Sequence, residues 1–387
     1  MLREERVRED VAGPAPGGDA SARRHAPGAS PAVPEAEATV PMRPGEELDP
    51  EVVRRFLREH VPGFPDRPLQ IRQFPTGASN LTYLLRAGEW VAVLRRPPFG
   101  PLPPKGHDMG REAAILQRLH PVFPLAPRPL AFCADESVLG APFYVMEYRP
   151  GVVLDDAFPA GVDTTPQRCR HLSYLVVDTL ADLHAVDYRE AGLEGFGHPE
   201  GFLQRQVEGW MRRWERAKTE EILALDPLRR WLQDRIPPSP APAIIHNDFK
   251  LNNLLLSPDL VRVVAVLDWE MATLGDPLFD LGVSLSYWVT PSDPDVLRNG
   301  LPTVTTRPGF ISREEFVERY ARRTGRDVEG IGWYLTFAYF KLAVILQQIY
   351  VRWREGKSRD PRFGRFGKIA RDLILYAAER ADRGARL

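Results

Sequence analysis

The segment Ile244-Ile245-His246-Asn247-Asp248-Phe249-Lys250-Leu251-Asn252-Asn253-Leu254-Leu255-Leu256 constrains this chain more than any other. Apolar runs enclose a dense polar loop, and rigid scaffolds commonly present reactive groups on such loops. Further on, Val263-Val264-Ala265-Val266-Leu267 ends abruptly in Asp268-Trp269-Glu270. Between the two, Ser257-Pro258-Asp259-Leu260 reads as a turn, so Asn253–Leu256 and Val261–Leu267 form a hairpin. Such a hairpin brings Asn253 and Asp268 to neighbouring strand ends, near Asp248.

Two oxygen ligands beside a free carboxylate suit one chemistry. Magnesium takes hard oxygen ligands, a few from protein and the rest from phosphates and water. Phosphoryl transfer needs charge neutralised on the phosphates and a base to orient the attacking hydroxyl. Asp248 is therefore assigned as the base, and Asn253 and Asp268 as Mg2+ ligands. A lone Asp or Asn would be read more simply as a turn cap; the combination carries the assignment.

The surrounding pattern predicts an α+β chain. Residues 1–45 hold nine Ala, seven Pro and five Gly without an aromatic, too little apolar surface to offset ordering, so they are expected to form a disordered tail. Asp49-Pro50 reads as a helix start. Strands are expected at Leu69–Phe74, Asn80–Leu85, Trp90–Leu94, Pro129–Cys133 and Pro142–Tyr148, with a helix over about 108–119. These make an N-terminal lobe, 46–147. The remainder, 148–387, reads as mostly helical, with helices from Thr165-Pro166 to about Val186 and from about Glu200 to Ala217. A capping box at Ser312 and Glu315 opens another, closed by Gly325. The β island Ile244–His246, Asn253–Leu256 and Val261–Leu267 interrupts them. The greasy stretch Leu335–Val351 is broken by Lys341, Gln347 and Gln348, so it reads as a buried helix rather than a membrane span.

Charge narrows the function. With 51 basic and 52 acidic residues, no broad cationic face for nucleic acid is implied. Cys133 and Cys169 have neither the number nor the spacing for a disulfide framework or metal knuckle. The charged start, Met1 to Asp10, lacks the apolar run of a signal peptide, and a cytoplasmic location without membrane contact is expected. Gly356-Lys357-Ser358 fails as a P-loop because Val351 stands where the first glycine is required. Only six lysines accompany 45 arginines, which matters for a nucleotide site.

His246-x-Asp248-x-Lys250-x-x-Asn253 follows the kinase catalytic-loop pattern, and Asp268-Trp269-Glu270 stands where protein kinases carry D-F-G. With Gly275-Asp276-Pro277-Leu278-Phe279-Asp280-Leu281, these segments resemble the aminoglycoside phosphotransferase family. Within it, the chain most resembles the phosphotransferase domain attached to some acyl-CoA dehydrogenases, over about residues 48–360. The resemblance implies a two-lobed protein-kinase-like fold, a small β-rich N-lobe and a larger helical C-lobe. It also implies ATP (or GTP) as co-substrate and transfer of its γ-phosphoryl group to a small-molecule hydroxyl. Arg95 then occupies the place of the usual phosphate-contacting lysine, and Glu112 that of its helix partner. Glu147 and Tyr148 fall at the hinge that receives the adenine. Ser79, in the glycine-poor loop Phe74-Pro75-Thr76-Gly77-Ala78-Ser79-Asn80, is a candidate phosphate contact, the alternative being an ordinary hairpin turn. Lys250 neutralises the γ-phosphate. Asn247 replaces the family's usual glycine, and Asn252 stands where many relatives carry Asp. His246 is expected to be structural, Asp280 to brace the loop backbone, and Asp276 to cap the following helix.

The resembled branch points to a hydroxyacyl-CoA or hydroxy acid as acceptor, the wider family to aminoglycosides, macrolides, choline or sugars. A polycationic aminoglycoside wants an acidic pocket, and Asp155-Asp156 and Glu220-Glu221 are too short to make one. Trp210, Trp214, Tyr287 and Trp288 are candidates to line the acceptor pocket, although core packing is the simpler reading for each. A catalytically silent, nucleotide-binding kinase-like protein is the competing class, favoured by the missing lysine and opposed by Asp248, Asn253 and Asp268. Oligomeric state is left open.

Overall fold

Residues 70–147 supply an antiparallel five-stranded sheet, in which the fifth strand lies between the third and the fourth, and the residues that follow are mostly helical. The computed structural model describes residues 39–75, 80–99, 107–162, 164–300, 303–358 and 360–387, which fall within one compact unit. The N-lobe runs α1 (Pro50–His60), β1 (Gln70–Gln73), β2 (Leu81–Ala87), β3 (Trp90–Arg96), α2 (Met109–Leu119), β4 (Pro129–Cys133), α3 (Glu136–Leu139) and β5 (Phe143–Glu147). The C-lobe continues with β6 (Val152–Val153), α4 (Pro166–Ala185), α5 (Phe202–Ala217), α6 (Leu225–Asp234), β7 (Ala243–Ile245), β8 (Leu254–Leu256), β9 (Val263–Val266) and β10 (Thr273–Gly275). It closes with α7 (Pro277–Tyr287), α8 (Asp295–Gly300), α9 (Arg313–Thr324), α10 (Ile331–Arg354) and α11 (Phe366–Asp382).

Period-two alternation in the sheet decides what faces the cleft. Ala92, Leu94, Phe143 and Val145 pack with Val53, Phe56 and Leu57 of α1 in one cluster. Val93, Tyr144 and Met146 point the other way and join α2 and the helical lobe in the main core. Arg95, two residues beyond Val93, is thereby aimed into the cleft. Helix starts follow their caps: Asp49 accepts from the Glu51 N–H, and Ser312 and Glu315 form the expected reciprocal box.

Two features differ from the sequence reading. Residues 1–38 of the expected tail lie outside the described residues, but Thr39–Gly45, also assigned to it, pack on the sheet. Val40 exchanges main-chain bonds with Gln73 of the edge strand β1 (2.8 and 2.9 Å), and the Arg43 N–H bonds the Gln73 side chain. Edge pairing satisfies backbone groups and needs no apolar side chains, so composition does not reveal it. The β island is also divided. β8 and β9 form the expected hairpin, extended by β6, whereas β7 pairs antiparallel with β10. In keeping with the sequence reading, α10 is long and apolar enough to cross a membrane, yet 72% of its most apolar stretch is buried within the fold. At Gly282 of α7 an added Cβ would come within 2.9 Å of the Tyr334 backbone in α10, so these two helices touch directly beneath the polar loop.

Candidate active site

The polar loop is held from three directions. Asp280, in the first turn of α7, accepts the main-chain N–H groups of His246 (2.7 Å) and Asn247 (2.8 Å). It therefore braces the loop backbone as expected. Burial works against the Asp280 carboxylate, but His184 and these N–H groups hold it below its ordinary range. His246 is fully buried and its Nε2 sits 2.8 Å from the Leu267 carbonyl, while its Nδ1 accepts from the Asp248 N–H at 3.3 Å. These contacts assign Nε2 as the protonated nitrogen and make His246 a strut between the loop and the strand end. From below, Lys341 of α10 donates to the Asn247 carbonyl (2.6 Å) and Oδ1 (3.0 Å). Asn247 lies in the left-handed region at φ 68°, a conformation that favours glycine and is tolerated by Asn.

Asp248 emerges from this frame into the cleft. Its Oδ2 lies 2.9 Å from the Lys250 ammonium and 3.2 Å from the Asn253 amide nitrogen, which also bonds the Asp248 carbonyl at 2.8 Å. Because the Asn253 side-chain N–H groups are turned to Asp248, its side-chain oxygen, Oδ1, is the atom left to ligate a cation. The Leu267 N–H bonds the Asn253 carbonyl at 2.8 Å, which ties the two candidate ligands together across the hairpin. Asp268 has φ 67°. Burial opposes its charge, but Arg95 holds its carboxyl below the usual range. Tyr287 lies beside Asp248, with the Lys250 ammonium 4.8 Å from its ring centroid. Burial pushes the Tyr287 phenol up to about 12. Trp288, Trp210 and Trp214 are buried core residues, whereas Tyr287 sits at the catalytic loop.

Across the cleft, Arg95 hydrogen-bonds Asp268 and lies 3.3 Å from Glu112 and 3.7 Å from Glu270. The contact with Glu112 is an ion pair without hydrogen-bond alignment. Burial, with Asp268 and Glu270 nearby, pushes Glu112 up to about 7, although Arg95 pulls it down. The other Glu112 oxygen accepts the Trp269 N–H at 3.2 Å, so α2 is linked to the turn after Asp268.

The structure thus brings Asp248, Lys250, Asn253, Asp268, Arg95 and Glu112 to one place. Glu147 and Tyr148 stand apart at the end of β5. The Glu147 carboxylate accepts the Arg128 N–H (2.9 Å) and pairs with Arg149 (2.5 Å), so its side chain fastens the hinge. Tyr148 is half-buried against the main core. Ser79 lies outside the described residues. The Asn252 amide donates to Asp155 at 3.0 Å. Among the described residues no three His, Cys, Asp or Glu side chains form a metal cluster. A carboxylate plus an amide oxygen is nevertheless the sparse donor set that suits a nucleotide-bound magnesium.

Residues 70–333 match the model of the phosphotransferase enzyme family. The chain belongs to that family. This phosphotransferase is 36% identical over 355 residues to acyl-CoA dehydrogenase family member 11 of Gallus gallus, covering 89% of this chain and 45% of that one. It therefore spans less than half the length of that relative. Among solved structures it is similar to a Ralstonia eutropha chain assigned to the aminoglycoside phosphotransferases. The TM-score is 0.75 at 33% identity, covering 88% of this chain and 100% of that one. A thermostable mutant of aminoglycoside phosphotransferase APH(4)-Ia, in ternary complex with AMP-PNP and hygromycin B, shares the fold at TM-score 0.55 and 18% identity, covering 86% and 99%. The family's kinase-like architecture, a small antiparallel sheet against a helical lobe, is the one described above.

Proposed function

We propose that this phosphotransferase moves the γ-phosphoryl group of ATP (or GTP) to a hydroxyl of a small anionic acceptor, a hydroxy acid or hydroxyacyl-CoA. The observation that carries the reading is the convergence of Asp248, Asn253 and Asp268 at one end of the β8–β9 hairpin. Asp248 orients the acceptor hydroxyl and takes its proton as the oxygen attacks phosphorus and the bond to the nucleotide diphosphate breaks. Lys250 and Arg95 place positive charge where negative charge gathers on the transferring group. The Asn253 side-chain oxygen, Oδ1, and the Asp268 carboxylate would hold magnesium, which supplies charge neutralisation on the phosphates.

The acceptor class rests on charge. Beside Asp248 stands Lys250, and the exposed Arg213 and the buried Lys341 lie close enough to repel one another. That field attracts an anion and disfavours a polycationic aminoglycoside. The relative from Gallus gallus bears the name of an acyl-CoA dehydrogenase, which supports an acyl-derived acceptor. The test is mass spectrometry of the products formed from MgATP and a panel of hydroxy acids, their CoA thioesters, aminoglycosides and macrolides. A phosphorylated hydroxy acid or thioester is expected, and its formation should stop on chelation of magnesium. Products from the antibiotics alone would overturn the acceptor class, and no ATP consumption with any acceptor would overturn the reaction.

A further inference from the structure

We propose that Lys341 is a positioning residue for phosphoryl transfer, clamping the left-handed turn at Asn247 so that Asp248 is presented to the acceptor hydroxyl. The inference rests on the kinase reading of this site and adds a residue to it from an element outside the catalytic loop.

The ammonium group is buried in the middle of α10, where the neighbouring residues Leu342, Ala343 and Val344 are core. Its hydrogen-bond partners are both oxygens of one residue, the Asn247 carbonyl at 2.6 Å and Oδ1 at 3.0 Å. It also lies 5.3 Å from the Phe279 ring centroid and 5.6 Å from that of Trp210. Asp248 and Asp280 favour its charge through space, while Lys250 and Arg213 oppose it. A buried cation held by neutral oxygens is costly, and a methionine would fill the same space among aromatic rings without that cost. What a methionine cannot do is bind the loop.

Geometry says what the binding achieves. The peptide unit joining Asn247 to Asp248 has its carbonyl directed at Lys341 and its N–H directed at His246 Nδ1. The preceding peptide N–H is fixed by Asp280. Both peptide planes flanking Asn247 are therefore pinned, one of them by Lys341, and rotation of that plane would carry the Asp248 side chain with it. Asn247 contributes twice, since its side-chain oxygen supplies an acceptor that glycine at this position lacks. The pair Asn247–Lys341 thus holds by hydrogen bonds a turn that glycine would adopt without steric penalty.

The test compares the full chain with Lys341→Met, and with Lys341→Gln as a second variant that keeps a donor. Turnover of MgATP with the panel hydroxy acid or CoA thioester that the unaltered chain phosphorylates should fall about a hundredfold in Lys341→Met, as for small misplacements of a reacting group, with less than about a threefold change in KM for ATP. Amide hydrogen exchange across residues 246–250, measured without nucleotide, should quicken about tenfold or more, while peptides from α10 stay protected. Lys341→Gln should fall between the two. Unaltered exchange with full kcat overturns the proposal, and so does a parallel loss of kcat, ATP affinity and thermal stability, which marks a residue that only holds the fold. Faster exchange in Lys341→Met, with no turnover by the unaltered chain, upholds the clamp and strikes the kinase reading instead.

Discussion

The two walls of the cleft hold their charged groups in different ways. On the C-lobe wall, Asp248 is placed by bonds to the main chain: Asp280 to two N–H groups, His246 to the Leu267 carbonyl, Lys341 to the Asn247 carbonyl. On the N-lobe wall, Arg95 is placed by carboxylates: Glu112, Asp268 and Glu270. Main-chain bonds are directional and determine a position. Ion pairs set a charge balance with looser geometry, as the misaligned contact between Arg95 and Glu112 shows. The first wall is built for aiming a reactive group, the second for presenting charge to phosphates.

The contrast can be broken most forcefully at Arg95. Arg95→Met leaves the buried Glu112 beside two further carboxylates without a cation, and should cost about 3–5 kcal/mol in urea unfolding. Arg95→Lys keeps the charge but lacks the forked reach to two carboxylates, so a smaller loss is expected. A stability change below about 1 kcal/mol in Arg95→Met, the range of surface ion pairs, would show that the N-lobe wall is not held by charge.

A second effect concerns pH. Burial pulls Lys341 down from 10.5 to about 8. Between those values the unfolded chain binds the proton and the folded chain does not, so stability rises with pH in that window. Relative to Lys341→Met, the unaltered chain should gain up to about 3 kcal/mol from pH 8 to 10.5, read by chemical denaturation at each pH. A flat difference would mean that the ammonium is not desolvated.

The smallest expected change is at the brace. Asp280→Asn turns one acceptor into a donor against a main-chain N–H, which should cost about 1–3 kcal/mol. Turnover should fall more than the stability loss explains, because the loop loses its aim. Full kcat in a folded Asp280→Asn protein would refute the geometric role of the C-lobe wall.

Much of this was legible in the sequence where periodicity and spacing speak locally. β4, α2 and the Ser312–Glu315 box follow directly from side-chain pattern, and the catalytic loop from its polar residues between apolar runs. The pairing of β7 with β10 was not legible, because a strand of three wholly buried residues carries no alternation. The packing of Thr39–Gly45 on the edge of β1 depends on backbone groups alone. The interruption of the apolar α10 by Lys341 was visible, but its partner lies 94 residues away in sequence, and only the fold joins them. Likewise, the resemblance sets Arg95 beside Glu112, whereas its hydrogen bond to Asp268, 173 residues away, depends on the fold. The Glu147 side chain turns to Arg149, a choice that strand pattern does not encode.

The central claim is that Asp248 is the base of a phosphoryl transfer, and the comparison of Asp248→Asn with the unaltered chain tests it most directly. Phosphorylated product formed from MgATP and the acceptor should fall by about a thousandfold, within the range for loss of a general base. Thermal stability and ATP affinity should stay near those of the unaltered chain. Undiminished product from a folded, nucleotide-binding Asp248→Asn protein would contradict the account.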